Sequence, residues 1–122
     1  MPAIPKSVLR KLYVQGSLRT EDGDFILELK NTIAPATITA LTGLDVDGQA
    51  MDPALVTTTS PSGKPRPASG ISAQAPLPFP IGATITLQVA ACALAPGPHE
   101  LVVHAVVQEV GPIAIPVSDT LE

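Results

Sequence analysis

Two runs of residues late in the chain, 83–91 and 101–107, have the hydrophobic pattern of β-strands. In the first run apolar residues alternate with threonine and glutamine, which is the period of two expected of a half-buried strand. The second run is apolar at every position except His104. Between the runs, Pro96 fixes φ, Gly97 permits a positive φ and Pro98 cannot continue a ladder, which together favour a turn. We predict that the two runs form an antiparallel pair at the centre of the fold.

Shorter strand patterns occupy the first half of the chain. Residues 12–18 and 25–30 flank a glycine-containing turn, and in the second of these runs the apolar side chains Phe25, Leu27 and Leu29 face one way. These two runs are predicted to form a hairpin. Asp47-Gly48 is a second hairpin turn signal.

A last strand is predicted over residues 113–119, where Pro116 favours the edge of a sheet. The sequence has neither a convincing helical period nor an internal repeat. With 122 residues it is long enough for one modest core. We therefore predict a single all-β domain, residues 1–122, folded as an immunoglobulin-like antiparallel β-sandwich of about seven to eight strands.

Two proline-rich stretches interrupt the strand patterns. Residues 1–7 contain two prolines and are predicted to be an extended lead-in. Residues 60–82 form a long loop, which carries Lys64 and Arg66, followed by an arm. In the arm, prolines remove ladder donors at every second position, so we expect it to lie across a surface rather than inside a sheet. The alternating positions are Pro76, Leu77, Pro78, Phe79, Pro80 and Ile81.

Composition excludes several classes of function. The net charge is −4 and the 7 basic residues are scattered, so a nucleic-acid-binding stripe is absent. No apolar run reaches the ~20 residues of a membrane span. The N-terminus lacks the pattern of a signal peptide, and we expect a cytoplasmic protein. The single cysteine, Cys92, excludes an intrachain disulfide.

Candidate catalytic and metal-binding residues all have structural explanations. His99-Glu100 and His104 are one residue too far apart for the zinc-binding H-E-x-x-H motif, and on a strand they face opposite sides. His99 is instead expected to cap the turn. Asp45 and Asp47 share a face but lack the further ligands that calcium requires. Since serine elbows, phosphate loops and a base near Cys92 are also missing, we predict no catalytic, cofactor-binding or metal residue on this chain.

One positive signal is that the run 101–107 is apolar on both faces. Val102, His104 and Val106 share the face that would ordinarily meet water, so some element should cover it. The slightly favoured cover is the arm of residues 71–82, and the other is a second protein chain. Leu77 and Phe79 of the arm could equally contact a partner.

The order of several motifs resembles the small β subunit of C-glycoside deglycosidases. The likeness extends over most of residues 12–121. It consists of Leu29-Lys30-Asn31, Leu44-Asp45-Val46-Asp47-Gly48, Phe79-x-x-Gly82 before a strand, and Leu94-x-Pro96-Gly97-x-His99-x-Leu101.

The resemblance implies a non-catalytic β-sandwich subunit in a hetero-oligomer with a larger isomerase- or epimerase-like barrel subunit. The partner would hold a divalent metal and the catalytic base, and the complex would cleave 3-oxo-C-glycosides by β-elimination. Lys64 and Arg66 would then be placed to reach the partner's substrate pocket. The alternatives are a stand-alone immunoglobulin-like interaction module and an isolated sugar-binding domain, the latter disfavoured by the scarcity of aromatic residues.

Overall fold

The computed structural model describes residues 6–59, 65–90 and 94–121 and confirms an antiparallel β-sandwich. These residues form ten strands and one short helix, α1 (Lys6–Leu9). The predicted number was seven or eight; four of the ten strands have three residues each, which is too short for an alternating pattern to be recognised. The strands are β1 (Arg19–Glu21), β2 (Asp24–Lys30), β3 (Ala36–Val46), β4 (Gln49–Met51), β5 (Val56–Thr59), β6 (Pro65–Pro67), β7 (Leu77–Phe79), β8 (Thr84–Val89), β9 (Gly97–Val107) and β10 (Gly111–Leu121).

The strands form two sheets that enclose one core. In sheet A the order is β1-β2-β8-β5-β6, and in sheet B it is β10-β9-β3-β4, with β7 paired to the start of β3. The apolar side chains of the core between the sheets are aliphatic apart from Phe25, Phe79 and Tyr13. The described residues include no helix long and apolar enough to cross a membrane.

The predicted pairing of the two late runs with each other is wrong. β8 pairs with β2 and β5 in sheet A, whereas β9 pairs with β10 and β3 in sheet B. The two strands therefore belong to opposite sheets, and each has neighbours on both sides. Alternation shows which side chains face the core, but it does not identify the strand that a run pairs with.

Both predicted hairpin turns are present in the structure. Asp22-Gly23 joins β1 to β2 and Asp47-Gly48 joins β3 to β4, and all four residues have positive φ, as two-residue turns between twisted strands require.

The position predicted for the first strand of the first hairpin, residues 12–18, is wrong, because none of these residues belongs to a strand. The strand begins at Arg19, whereas Leu12 ends a 3-10 turn (Arg10–Leu12) and Tyr13 makes a single bridge to Leu29. Gly16, at φ 86°, turns the chain between them. The expected extended lead-in is also corrected in part, because Lys6–Leu9 is helical; residues 1–5 lie outside the described part.

The arm is also partly corrected. Its residues Leu77–Phe79 form strand β7, which belongs to sheet B and pairs with the start of β3. Leu77 and Phe79 point into the core and Pro78 points outward. A proline is compatible with this strand because β7 has only one neighbour and needs no ladder donor on its free side.

The edges of both sheets are short or blocked by proline. β1, β4, β6 and β7 have three residues each, and the longest edge strand, β10, contains Pro112 and Pro116. The edge position predicted from Pro116 is confirmed. Short and proline-containing edges discourage the addition of a strand from another chain.

Candidate functional site

The outward side of sheet B is the candidate site. Residues directly opposite each other in an antiparallel ladder point to the same face. In the centre of this face the register of β3, β9 and β10 aligns nine residues in three rows, and the next row, Glu100 and Ser118, is polar and exposed. We call the nine residues the outer grid. Its rows are Asp45, Val102 and Pro116; Gly43, His104 and Ala114; and Ala40, Val106 and Pro112.

The outer grid is apolar where the equivalent face of the other sheet is polar. Seven of its nine residues are alanine, valine, proline or glycine, and eight are half-buried. The outward side of sheet A also has apolar residues, namely Ile26 and, on the edge strand β6, Pro65 and Pro67. Its other residues on β2, β5 and β8 are polar: Glu28, Lys30, Thr57, Thr59, Thr84, Thr86 and Gln88. A contiguous apolar face on one side of a sandwich is typical of a protein-binding surface.

His104 and Asp45 are the two polar side chains of the outer grid. His104 Nε2 lies 2.9 Å from Asp45 Oδ2, and the two side chains are 38% and 37% exposed. The residues on either side of His104 in the ladder are Gly43 and Ala114. Because these neighbours are small, the imidazole stands accessible in the middle of an apolar surface.

The size of the outer grid indicates how much of an interface it could supply. Strands lie about 4.8 Å apart, and residues on one face repeat about every 6.7 Å, so nine positions cover roughly 300 Å². A standard interface buries about 800 Å² per partner. The grid is thus large enough for the apolar centre of an interface, and the surrounding polar surface would supply its rim.

Of the predicted interface residues, the structure brings Val102, His104 and Val106 together on the outer grid. Leu77 and Phe79 are elsewhere, with 2% and 4% of their surfaces exposed. Because both side chains are used in this domain's own core, the part of the interface prediction that rests on them is wrong. The arm does not lie over the outer grid either: its described strand extends sheet B beside β3.

The predicted substrate-reaching role of Arg66 is not supported by its contacts. Its guanidinium donates hydrogen bonds to the carbonyl oxygens of Ala75 at 2.6 Å, Pro76 at 3.0 Å and Gly70 at 3.4 Å. These bonds attach β6 to the arm, so the side chain is held against its own chain. Lys64 and Cys92 lie outside the described residues.

The sequence of this chain matches the model of a known protein family. A model of the family described as "Hydroxymethylglutaryl-CoA reductase, N-terminal domain" matches residues 8–122. The chain belongs to this family. The span shared with the hydroxymethylglutaryl-CoA reductase N-terminal domain includes all ten strands described above and the whole outer grid.

Other comparisons add little to the family assignment. No curated protein matches the chain. Among seven solved chains that match, one is a family 123 glycoside hydrolase from Clostridium perfringens, with 11% identity and a TM-score of 0.39. The alignment covers 85% of this chain and 22% of that enzyme, so this member of the reductase N-terminal domain family spans about a fifth of its length. This likeness carries no functional argument.

His99 serves the turn before β9, as predicted. Its Nδ1 lies 2.6 Å from Asp47 Oδ2, and its Nε2 lies 2.6 Å from the carbonyl oxygen of Ala95. Since both neighbours are acceptors, both ring nitrogens must carry protons for both bonds to form. The carbonyl of Ala95 and the carboxylate of Asp47 accordingly raise the pKa of His99 above 6.5.

Asp47 lies in the turn between β3 and β4 and bonds to the start of β9. Its Oδ1 accepts a 2.9 Å bond from the backbone N–H of Glu100. This bond and the contact with His99 lower the pKa of the carboxyl below 3.8. Among the residues that the structure describes, no three His, Cys, Asp or Glu side chains are grouped in a way that could hold a metal ion.

Two polar clusters were not found from the sequence. Tyr13 donates a hydrogen bond from its hydroxyl to Asp119 Oδ2, which also accepts from the backbone N–H of Gly16 at 2.9 Å. Burial and the bond to Asp119 raise the pKa of Tyr13 to about 12. This contact joins residues more than a hundred positions apart, and no local sequence signal announces it.

The second polar cluster that the sequence did not reveal is centred on Asn31. The side chain is 2% exposed, and its Nδ2 donates to the carbonyl oxygens of Phe79 at 2.6 Å and Ala34 at 2.7 Å. Its Oδ1 accepts from the backbone N–H groups of Ile33 at 3.1 Å and Ala34 at 3.4 Å. The position of Asn31 directly after an alternating strand is the only sequence signal for this cluster, and it does not identify the groups that Asn31 bonds.

Proposed function

We propose that this chain is a non-catalytic β-sandwich subunit that binds a larger catalytic chain through the outer grid. The observation that carries the proposal is the contrast between the centres of the two outward faces. The centre of sheet A presents mainly threonines and charged groups, whereas the centre of sheet B presents small apolar residues around one His–Asp pair. A face of this composition is stabilised by contact with another protein surface.

The contacts of the other polar groups support binding rather than catalysis. His99 bonds Ala95 in the turn before β9 and Asp47 in the turn between β3 and β4, and Tyr13 and Asp119 attach the N-terminal segment to β10. A general base must have its proton-accepting atom within reach of a substrate. Both ring nitrogens of His99 are instead directed to acceptors of this chain.

The proposed partner docks on the face of sheet B rather than on its edge. Strand addition at β10 requires backbone N–H groups along the free edge, and proline supplies none at positions 112 and 116. Side-chain packing on the outer grid avoids this requirement. The His104–Asp45 pair would then give directional hydrogen bonds within an otherwise apolar contact.

The proposed partner is an isomerase- or epimerase-like barrel chain, as the resemblance to the β subunit of C-glycoside deglycosidases implies. In this proposal the barrel provides the divalent metal and the base for β-elimination of 3-oxo-C-glycosides in a cytoplasmic complex. The present chain stabilises the barrel and contributes no reacting group.

A second candidate rests on the family match over residues 8–122. The name of the family favours an N-terminal accessory domain that packs on a hydroxymethylglutaryl-CoA reductase. Both candidates use the outer grid and differ in the catalytic chain that it contacts. A stand-alone interaction module is the remaining alternative, in which the grid contacts no enzyme.

Co-expression tests the proposal. The chain is produced with the barrel chain encoded beside it, and the mixture is resolved by size-exclusion chromatography and assayed for aglycone release from a 3-oxo-C-glucoside. We expect one co-eluting peak, and higher activity in the complex than in the barrel alone. Separate elution of the two chains, or the lack of a neighbouring barrel gene, would contradict the deglycosidase proposal. Co-elution with a reductase domain instead would favour the second candidate.

A further inference from the structure

An apolar cavity of about 110 Å³ opens at one end of the sandwich. Its interior lies between the sheets and is lined by side chains of both, including Leu29, Leu41, Phe79 and Ala105. Its mouth lies between the loop that follows β2 and the turn that joins β9 to β10, where Pro35 and Glu109 are exposed. The cavity is on the inner side of sheet B, opposite to the outer grid.

The polar groups at the cavity are already bonded within the chain. Asn31 Nδ2 and Oδ1 are used by the carbonyl and N–H groups described above. The carboxylate oxygens of Glu109 accept from the backbone N–H of Thr37 at 2.9 Å and from its hydroxyl at 3.1 Å. A ligand in the cavity would therefore find no side-chain donor that is free to bond it, and an anionic group would be repelled by the negative charge of Glu109.

The volume limits the ligand further. Protein interiors are close-packed, and voids that exceed one water molecule are few. An apolar cavity of about 150 Å³ can remain dry and bind benzene or xenon, so 110 Å³ suits a single six-membered ring or a short alkyl chain.

We propose that this cavity is a binding site for a small neutral apolar group, such as an aromatic ring or a short alkyl chain. The ligand would enter between Pro35 and Glu109 and contact both sheets. Its affinity would come from packing and from removal of apolar surface from water. This site is separate from the proposed partner surface, so it does not depend on the identity of the partner.

Benzene and benzoate are the probes. Both have the same ring, but benzoate carries a charge that the cavity cannot bond. A ligand that binds only the folded state raises the melting temperature by mass action. We expect benzene to raise it by a few degrees and to shift the methyl NMR signals of Ala105, Leu41 and Leu29, while benzoate does neither. An unchanged melting temperature and unchanged signals with benzene would overturn the proposal.

Cavity-filling variants identify the site. Ala105→Leu places three additional carbons in the interior, and Ala36→Leu does so nearer the mouth. Whichever of these two variants folds like the unmodified chain is tested, and benzene should no longer change its melting temperature or its methyl signals. Ala54→Leu, at an exposed position outside the cavity, is the matched control and should keep the full response. If benzene acts equally on the filled variants, it binds elsewhere and the proposal is wrong.

Discussion

Replacing Asn31 by alanine should destabilise this domain more than any other single polar-to-alanine change at the loop after β2. The side chain is 2% exposed and bonds to four backbone groups, on Ile33, Ala34 and Phe79. Phe79 belongs to β7, so one amide connects the loop to the strand that extends sheet B. Alanine removes every one of these bonds and supplies no replacement.

The magnitude follows from the positions of the four partners. The bond to the carbonyl of Phe79 is buried, and an unpaired buried acceptor costs about 1–3 kcal/mol. The groups on Ile33 and Ala34 lie near solvent, where water can replace the amide, so each costs about 0.5 kcal/mol at the lower end of a normal hydrogen bond. With three such groups on Ile33 and Ala34 and about 2 kcal/mol for the carbonyl of Phe79, the sum is about 3.5 kcal/mol. For a domain of this size, that corresponds to a melting temperature lowered by about 10 °C.

Thermal and urea unfolding, followed by circular dichroism, measure the effect. Thr32→Ala is the matched control, because Thr32 is the exposed neighbour in the same loop, and it should change the free energy of unfolding by no more than about 0.5 kcal/mol. If Asn31→Ala and Thr32→Ala unfold at the same temperature, the amide does not connect the loop to β7 and the reasoning fails.

Three further predictions concern single side chains. The contacts that raise the pKa of His99 above 6.5 stabilise the fold fully below pH 6.5, and this stabilisation is lost as the pH rises through the higher folded value. His99→Gln should therefore abolish the loss of stability measured as the pH rises above 6.5, and an identical pH profile would contradict this. Tyr13, the one tyrosine of the chain, should ionise in a spectroscopic titration near its raised pKa of about 12, whereas a midpoint at 10 would mean that its bond to Asp119 is absent. Arg66→Met should speed hydrogen exchange at Ala75 N–H, and unchanged exchange would show that the guanidinium does not hold the arm.

Local features of the fold could be predicted because they depend on residues close in sequence. The alternation of residues 25–30 shows which side of β2 is buried, and Asp-Gly pairs mark both tight turns through their tolerance of positive φ. The partners of each strand could not be predicted, because they are set by packing across the whole core. β8 and β9 are adjacent in sequence and belong to opposite sheets for this reason.

The candidate site could be predicted in part for the same reason. Val102, His104 and Val106 lie on one strand, so a period of two places them on one face. Ala114 and Gly43 complete the row of His104 from neighbouring strands, and without the register nothing links them to it. Register is set by long-range pairing, so the outer grid becomes visible only in the folded chain.

The affinity of the co-expressed barrel chain for two matched aspartate variants tests the central claim most directly. Val102→Asp puts a charge in the outer grid, and Thr84→Asp puts one on the outward face of sheet A, opposite Lys30. Isothermal titration calorimetry should show binding weakened at least about thirtyfold by the first change, as expected for a charge at the centre of an interface, and within about threefold of the unmodified chain for the second. Equal affinities of the two variants, or stronger loss with Thr84→Asp, would contradict a partner surface on sheet B.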